Sequence, residues 1–416
     1  MLKALLLAAI ILSSIPAQAV ATRVAENVTA LSTAYSSQRK IVRDSKGDLF
    51  VVYMRPDGNL SQVYMSESVD DGATWKELGR VSEGELNSVR VSLAIDAADR
   101  VHVFWTKFVE EEYGQIFWRT YSQGSWSAEQ QITSGEGYAG FPSVAVDSKG
   151  VLHLVWYGFD GTTYQVYYSR YEFNNWSTPV RLSQGYPDSV NPTIAVDSRD
   201  NLHVAWYKSN GHQYQIYYVQ WTGSWGDQVI LSSGLTDSLN PTMAVDRLGR
   251  VYVFWDKGEA GQTQIYFALF KDGAWSGQIP ITSGDLTAEN PSVAVDDLGT
   301  AYVFYEKTDG QIYLREYSER WSDEMRLTSA GINTFPSVRW SYNNNPFNGV
   351  EGKIEYVWTS DDNGTYSLKY SNLAIAQAMG PATNLGLLAN PVVITGAFVA
   401  VAALLLFYQS RRKRVT

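Results

Sequence analysis

The sequence predicts an all-β fold, a seven-bladed β-propeller closed by an N-terminal strand, and three observations carry that expectation. The stretch PSVAVDSKGVLHLVWYG at Pro142–Gly158 returns as PTIAVDSRDNLHVAWYK, PTMAVDRLGRVYVFWDK and PSVAVDDLGTAYVFYEK further along the chain. An Asp ends the first run of each copy, at Asp44, Asp96, Asp147, Asp197, Asp246 and Asp296, spaced 49 to 52 residues apart. Each interval holds four short apolar runs bounded by Gly, Asn and Asp, the pattern of antiparallel strands joined by tight turns. Four-stranded units repeated at this length stack as wedges around an axis. No stretch shows the 3.6-residue spacing that a helical array requires.

Taken in order, the first strand of a copy alternates small residues, as in Ser143 and Ala145, Thr193 and Ala195, or Ser292 and Ala294. Innermost strands crowd the axis, where only small side chains fit. The Asp-x-x-Gly turn that follows uses the carboxylate to accept turn N–H bonds and Gly for the left-handed position. The second strand, VLHLVW in one copy, is apolar on both faces because each blade lies between two neighbours. It carries an aromatic nine residues after the Asp, at Tyr53, Trp105, Trp156, Trp206, Trp255 and Tyr305. The third strand opens on Gln, at Gln62, Gln115, Gln165, Gln215, Gln264 and Gln311. A Trp precedes the fourth, at Trp75, Trp126, Trp176, Trp225, Trp275 and Trp321. A seventh copy, Pro336–Leu373, supplies three strands and lacks the fourth. The spare run ENVTALST, Glu26–Thr33, matches the fourth-strand pattern and is expected to complete it, which sets the domain at 26–373. Closure of the ring removes the edges that would otherwise pair with other chains.

Both ends carry export signals. Residues 1–19, MLKALLLAAIILSSIPAQA, have the Lys, the apolar run and the small-x-small ending of a secretory signal peptide. Residues 374–390 read as a linker. Residues 391–410 hold an uncharged apolar run long enough to span a bilayer as a helix, and the basic tail 411–416 is expected to stay in the cytoplasm. The alternative for this end is a cleaved sorting signal, although no LPxTG-type motif is present. The expected location is therefore the cell membrane, single-pass, with the N-terminal domain outside. Lys3 and the four basic residues of the tail account for five of the 33 Lys and Arg, so the rest carries 28 against 43 Asp and Glu, a formal −15. That charge argues against nucleic acid or anionic lipid as partner, and mildly against a strongly anionic substrate. The chain has no Cys, so core size and ring closure must replace disulfides. Glycosylation sequons stand at Asn27, Asn59, Asn175 and Asn363.

One hairpin carries a motif. SVDDGATW, with Ser68, Asp70, Gly72, Thr74 and Trp75, fits S-x-D-x-G-x-T-W without a miss. It resembles the Asp-box, or bacterial neuraminidase repeat, of the sialidase-like propellers. The resemblance implies a structural hairpin between third and fourth strands, remote from the family's active site. Sialidases of that family add three carboxylate-binding arginines, a Tyr–Glu nucleophile pair, an Asp acid/base and an Arg-Ile-Pro motif. The nearest match to the last is QRKIVRD, Gln38–Asp44, which lacks the proline, and no residue carries over to a catalytic role. His102, His153 and His203 share one register, six residues after the marker Asp. Such positions circle the axis and need not converge on one ion, so they read as packing with a hydrogen bond. No metal and no cofactor is expected.

The candidate ligand face holds the loops between second and third strands and the entries to the inner strands. Tyr157, Asp160, Tyr207, Lys208, His212, Asp256, Glu259, Glu306 and Asp309 fall there, beside the acidic run Glu110–Glu112. Aromatics next to carboxylates and amides suit sugar binding, and an ordinary polar rim would look similar. The expected function is a membrane-anchored surface module that binds glycans or proteins. The alternatives are a membrane-anchored sialidase-like glycoside hydrolase and a purely structural envelope protein.

Overall fold

A computed structural model describes residues 20–109, 113–135, 137–259, 261–296, 298–339 and 352–375. The expected leader 1–19, the span 391–410 and the tail 411–416 lie outside these residues, as do Glu110–Glu112 and nearly all of the linker. The described residues form strands and turns and no helix, and none of them builds a helix long and apolar enough to cross a membrane.

Seven antiparallel sheets follow one another along the chain, each running from an inner to an outer strand. Their inner strands are Ile41–Arg43 in blade 1, Ser88–Ile95 in blade 2, Ala139–Val146 in blade 3 and Ser189–Val196 in blade 4. Blades 5, 6 and 7 begin with Ser238–Val245, Ala288–Val295 and Ile332–Val338. The aromatic of each second strand is buried, with Trp105, Trp206, Trp255, Tyr53 and Tyr305 wholly enclosed. These rings wedge apolar clusters into every boundary between neighbours, including the one that joins blade 7 to blade 1 through Val24, Ile41, Val51, Val357 and Leu368. The marker Asp residues work as turn acceptors: Asp147 Oδ1 takes the N–H groups of Lys149 and Val151, each at 2.9 Å, and the other five repeat the arrangement.

Two features depart from the expected pattern. The strand that completes blade 7 is Thr22–Glu26, paired with Tyr366–Ala374, and not the run from Glu26 to Thr33. Asn27, at φ 52°, ends it, and residues 28–33 cross to blade 1, the Thr29 N–H bonding the Met54 carbonyl at 2.9 Å while the Thr33 N–H stays on Thr359 Oγ1 of blade 7 at 3.2 Å. The crossing residues looked strand-like because Val28 has to be buried there. The outer strands of blades 2–6 shrink to pairs of residues, such as Gln130–Gln131 and Val229–Ile230, because the Trp-bearing hairpin before them pulls the chain off the sheet edge.

The Ser68–Trp75 hairpin clasps the closure. Asp70 accepts the Thr74 N–H at 2.8 Å and the Thr74 and Ser68 hydroxyls, and Ser68 Oγ accepts the Gly72 N–H at 2.8 Å. Trp75 Nε1 then donates to Thr22 Oγ1 at 3.2 Å, and its ring meets Tyr370 edge-on. Beside it, Arg43 of blade 1 and Arg339 of blade 7 both pair with the buried Glu355, and Arg43 also pairs with Asp71. Burial pushes the Glu355 carboxyl up, but the two guanidiniums outweigh it and hold the group below the usual carboxylate range.

Candidate functional site

At the start of six inner strands the ladder slips by one residue, and a residue in left-handed conformation marks the slip. These are Arg90, Phe141, Asn191, Asn240, Asn290 and Phe335, with φ between 50° and 58°. Asn adopts this region readily because its amide can bond locally; Arg and Phe adopt it against a steric cost. The bulge turns a backbone N–H away from its own sheet and toward the preceding blade, where one register of the second strand receives it. Met54 Sδ accepts from Arg90 at 3.2 Å, Thr106 Oγ1 from Phe141 at 3.1 Å, Asp256 Oδ1 from Asn290 at 3.0 Å and Glu306 Oε2 from Phe335 at 2.5 Å. Tyr157 and Tyr207 hold the same register in blades 3 and 4.

The two carboxyls in that ring are each gripped twice. Asn240 Nδ2 donates to Asp256 Oδ2 and Asn290 Nδ2 to Glu306 Oε1, both at 2.7 Å. Tyr207 receives Asn191 Nδ2 in the same way at 3.1 Å. Asp256 and Glu306 are buried, so the charged form is disfavoured. Burial, with Glu289 and Glu306 nearby, drives Asp256 well above its ordinary value, and burial pushes Glu306 up to about 7. The pair joins blades 5, 6 and 7.

Across the axis the same ring is aromatic. The Arg90 guanidinium lies 4.2 Å from the Phe141 ring centre, faces Phe108 and Tyr138 at 5.7 Å each, and donates through Nη1 to the Tyr138 hydroxyl. Phe141 stacks on Tyr157, Tyr35 meets Phe141 edge-on, and Tyr138 packs on both Tyr157 and Tyr164. Two clefts open on either side of this cluster. One, of about 470 Å³, is lined by Leu31, Tyr35, Asn87, Arg90 and Phe108. The other, of about 350 Å³, is lined by Gln115, Tyr138, Trp156, Phe159 and Tyr167, and Phe159 is 41% exposed.

Of the residues expected on this face, Tyr157, Tyr207, Asp256 and Glu306 share the ring. Lys208 follows Tyr207 in the same strand, and the others lie at hairpin ends beyond the ring. Asp160 caps the turn at Thr162 and Thr163 and pairs with Arg181; Asp309 accepts the Tyr313 hydroxyl at 2.7 Å. Lys208 Nζ bonds the Gln184 carbonyl, and His212 sits exposed in a turn held by Asn210. Glu259 ends the second strand of blade 5. The three register histidines stay within their own blades, each with Nε2 near the marker Asp and Nδ1 on a hydroxyl, Thr120, Tyr168 or Tyr218. Tyr252 and Tyr302 occupy the same register and reach their marker Asp likewise. All four sequon asparagines are exposed.

Two features escaped sequence reasoning. Arg90 and Tyr138 needed the bulge to be seen, although Arg90 stands where other copies read Asn-Pro. The run Gln38–Lys40, weighed only as a failed catalytic motif, fills the axis. Gln38 Nε2 donates to the Arg90 and Pro142 carbonyls, Arg39 to Met243 O at 2.9 Å and Ser292 Oγ at 3.1 Å, and Lys40 Nζ to Val91 O. The signal was present in the register: Lys40 occupies the small-hydroxyl position held by Ser92, Ser143, Thr193, Thr242, Ser292 and Ser337.

No protein-family model and no curated protein matches the sequence. Among solved structures the fold is similar to an ulvan lyase of a polysaccharide lyase family bound to -[GlcA(1-4)Rha3S]-, at 12% identity and TM-score 0.62 over 85% of this chain and 95% of that one. It is similar also to an α-L-arabinofuranosidase from Fusarium graminearum in complex with an iminosugar inhibitor, at 13% identity and TM-score 0.53 over 87% and 99%. An α-L-arabinanase from Penicillium chrysogenum complexed with arabinobiose matches at 10% identity and TM-score 0.52 over 85% and 98%. At these identities the likeness is one of fold: a seven-bladed propeller.

Proposed function

We propose that this chain binds glycans on the face of the wheel that carries the inner-strand bulges, and that it does so outside the cell, held by the apolar segment 391–410. The observation that carries the reading is the aromatic cluster around Tyr138 between two clefts, with the exposed Phe159 at the rim of one. Sugar rings present C–H faces that stack on aromatic rings and hydroxyls that pair with amides and carboxylates, and this face offers both. Similar folds in a lyase, an arabinofuranosidase and an arabinanase support a saccharide ligand over a protein one. The likeness of Ser68–Trp75 to the sialidase-like repeat stays, in this reading, a likeness of hairpins.

A glycan array probed with the full-length chain tests it. Binding to a defined set of glycans is expected, with Phe159→Ala weakening it roughly tenfold, about 1.4 kcal/mol, at unchanged melting temperature. An array with no signal, or one indifferent to Phe159, sinks the proposal.

A second reading has one observation in its favour. A carboxyl held at about 7, such as Glu306, is matched to proton transfer at neutral pH. Cleavage of an array-positive oligosaccharide that Glu306→Gln abolishes would select glycan cleavage over binding alone.

A further inference from the structure

We infer that the Arg90 cleft selects an acidic sugar, a uronate whose carboxylate seats on the Arg90 guanidinium while its ring lies along the Tyr35 and Phe108 side of the cleft. The inference rests on the glycan reading above and names the class of sugar.

Arg90 is an unusual cation for this molecule. It makes no ion pair among the described residues, in a domain that carries a formal −15. Its contacts are instead aromatic: Phe141 covers it at 4.2 Å, and Phe108 and Tyr138 flank it at 5.7 Å. Nη1 is committed to the Tyr138 hydroxyl, while Nε is buried without an acceptor. Rings hold the cation in place without neutralising it, because a π face offers a quadrupole and no formal charge. The result is a positive group fixed in one orientation on the wall of a cleft of about 470 Å³. With Nε buried and Nη1 on the Tyr138 hydroxyl, Nη2 is the nitrogen left to donate to a carboxylate oxygen in a charge-assisted hydrogen bond.

The backbone argues for selection as well. Arg90 pays the left-handed conformation, φ 57°, at a register where Asn191, Asn240 and Asn290 adopt it with less strain. Those asparagines spend their amides on Tyr207, Asp256 and Glu306. In blade 2 the facing register is Thr106, which accepts the Phe141 N–H instead, and Arg90 turns to the cleft. The ring thus has an acidic side at Asp256 and Glu306 and a cationic point on blade 2.

The substitution Arg90→Asn installs the residue that three other blades carry at this register, so the fold is expected to tolerate it. Binding of the full-length chain to a galacturonate trimer, a neutral galactose trimer and a sulfated galactose trimer is measured by calorimetry. The wild-type protein is expected to bind the uronate at least tenfold tighter than the neutral sugar. Arg90→Asn should remove that preference, uronate affinity falling at least tenfold further than neutral affinity, with the melting temperature unchanged. Equal affinity for uronate and neutral trimers, or a preference that survives Arg90→Asn, overturns the inference while the glycan reading stands. Tighter binding of the sulfated trimer than of the uronate overturns the carboxylate assignment. Failure of the wild-type protein to bind any glycan, on this panel or on the array, overturns the reading and the inference with it.

Discussion

Glu306 shows how a single carboxyl couples this ring to pH. Its folded value, about 7, stands above the 4.5 of an exposed Glu, so the folded state holds its proton more tightly. The stability it contributes is therefore complete below about 4.5 and is lost as pH rises through about 7. Urea unfolding should show stability falling between pH 5 and pH 8 by on the order of 3 kcal/mol, and Glu306→Gln should flatten that slope. Asp96 acts on the opposite limb. Burial raises it, but bonds from His102 and Arg100 hold it at about 2 against 3.8, so its contribution is present above 3.8 and lost as pH falls through about 2. A slope unchanged in Glu306→Gln would mean that the carboxyl is charged and hydrated at neutral pH. Position along the chain made Glu306 legible: Tyr157, Tyr207, Asp256 and Glu306 each follow a marker Asp by ten residues, so the repeat placed them together. Arg90 was not legible, because its direction depends on a slipped ladder that composition does not announce.

At the scale of elements, the seam between blades 7 and 1 separates what a pattern can and cannot fix. That an N-terminal strand completes blade 7 followed from counting, since the seventh copy lacked an outer strand. Its register did not, because ENVTALST fits the outer-strand pattern of the other copies while TRVAE sets Val24 and Ala25 side by side, and the turn at Asn27 decides between them. The Ser68–Trp75 run was legible as a hairpin, yet its role as a clasp needed Thr22 and Tyr370 beside it. Gly72 concentrates that role. Its φ of 84° disfavours any β-carbon, and one placed there would fall on the Tyr370 ring. Gly72→Ala should cost about 2 to 4 kcal/mol in chemical denaturation, from strain and overpacking together. It should also speed proteolysis within residues 20–26, since the outer strand loses the surface it leans on. A loss under about 0.5 kcal/mol would show that the hairpin bends away freely and clasps nothing.

For the whole molecule the decisive object is the hub. Closure by one strand fixes a single seam, whereas Ser37–Lys40 reach blades 2, 3, 5, 6 and 7 at once through Ser143, Pro142, Met243, Ser292, Ser337 and Val91. Small inner-strand residues leave an axial space, and this segment occupies it, so the wheel is filled at its centre. The occupant is costly. Lys40 is wholly buried, and its ammonium reaches only the Val91 carbonyl and Gln38 Oε1 at 3.2 Å, with no carboxylate among the described residues. Desolvation lowers its pKa well below the ordinary 10.5, so the folded state gives up this proton more easily than the unfolded chain. The penalty is therefore largest below the folded value and fades as pH rises toward 10.5. Lys40→Met keeps the length of the side chain and removes the charge. It should raise the urea midpoint at pH 7, and the gain should shrink by pH 10, as the pH nears the ordinary value of the unfolded amine. Equal destabilisation at both pH values would instead give the two hydrogen bonds the larger share, and the hub would then hold the blades by polar contacts that outweigh the burial of its charge.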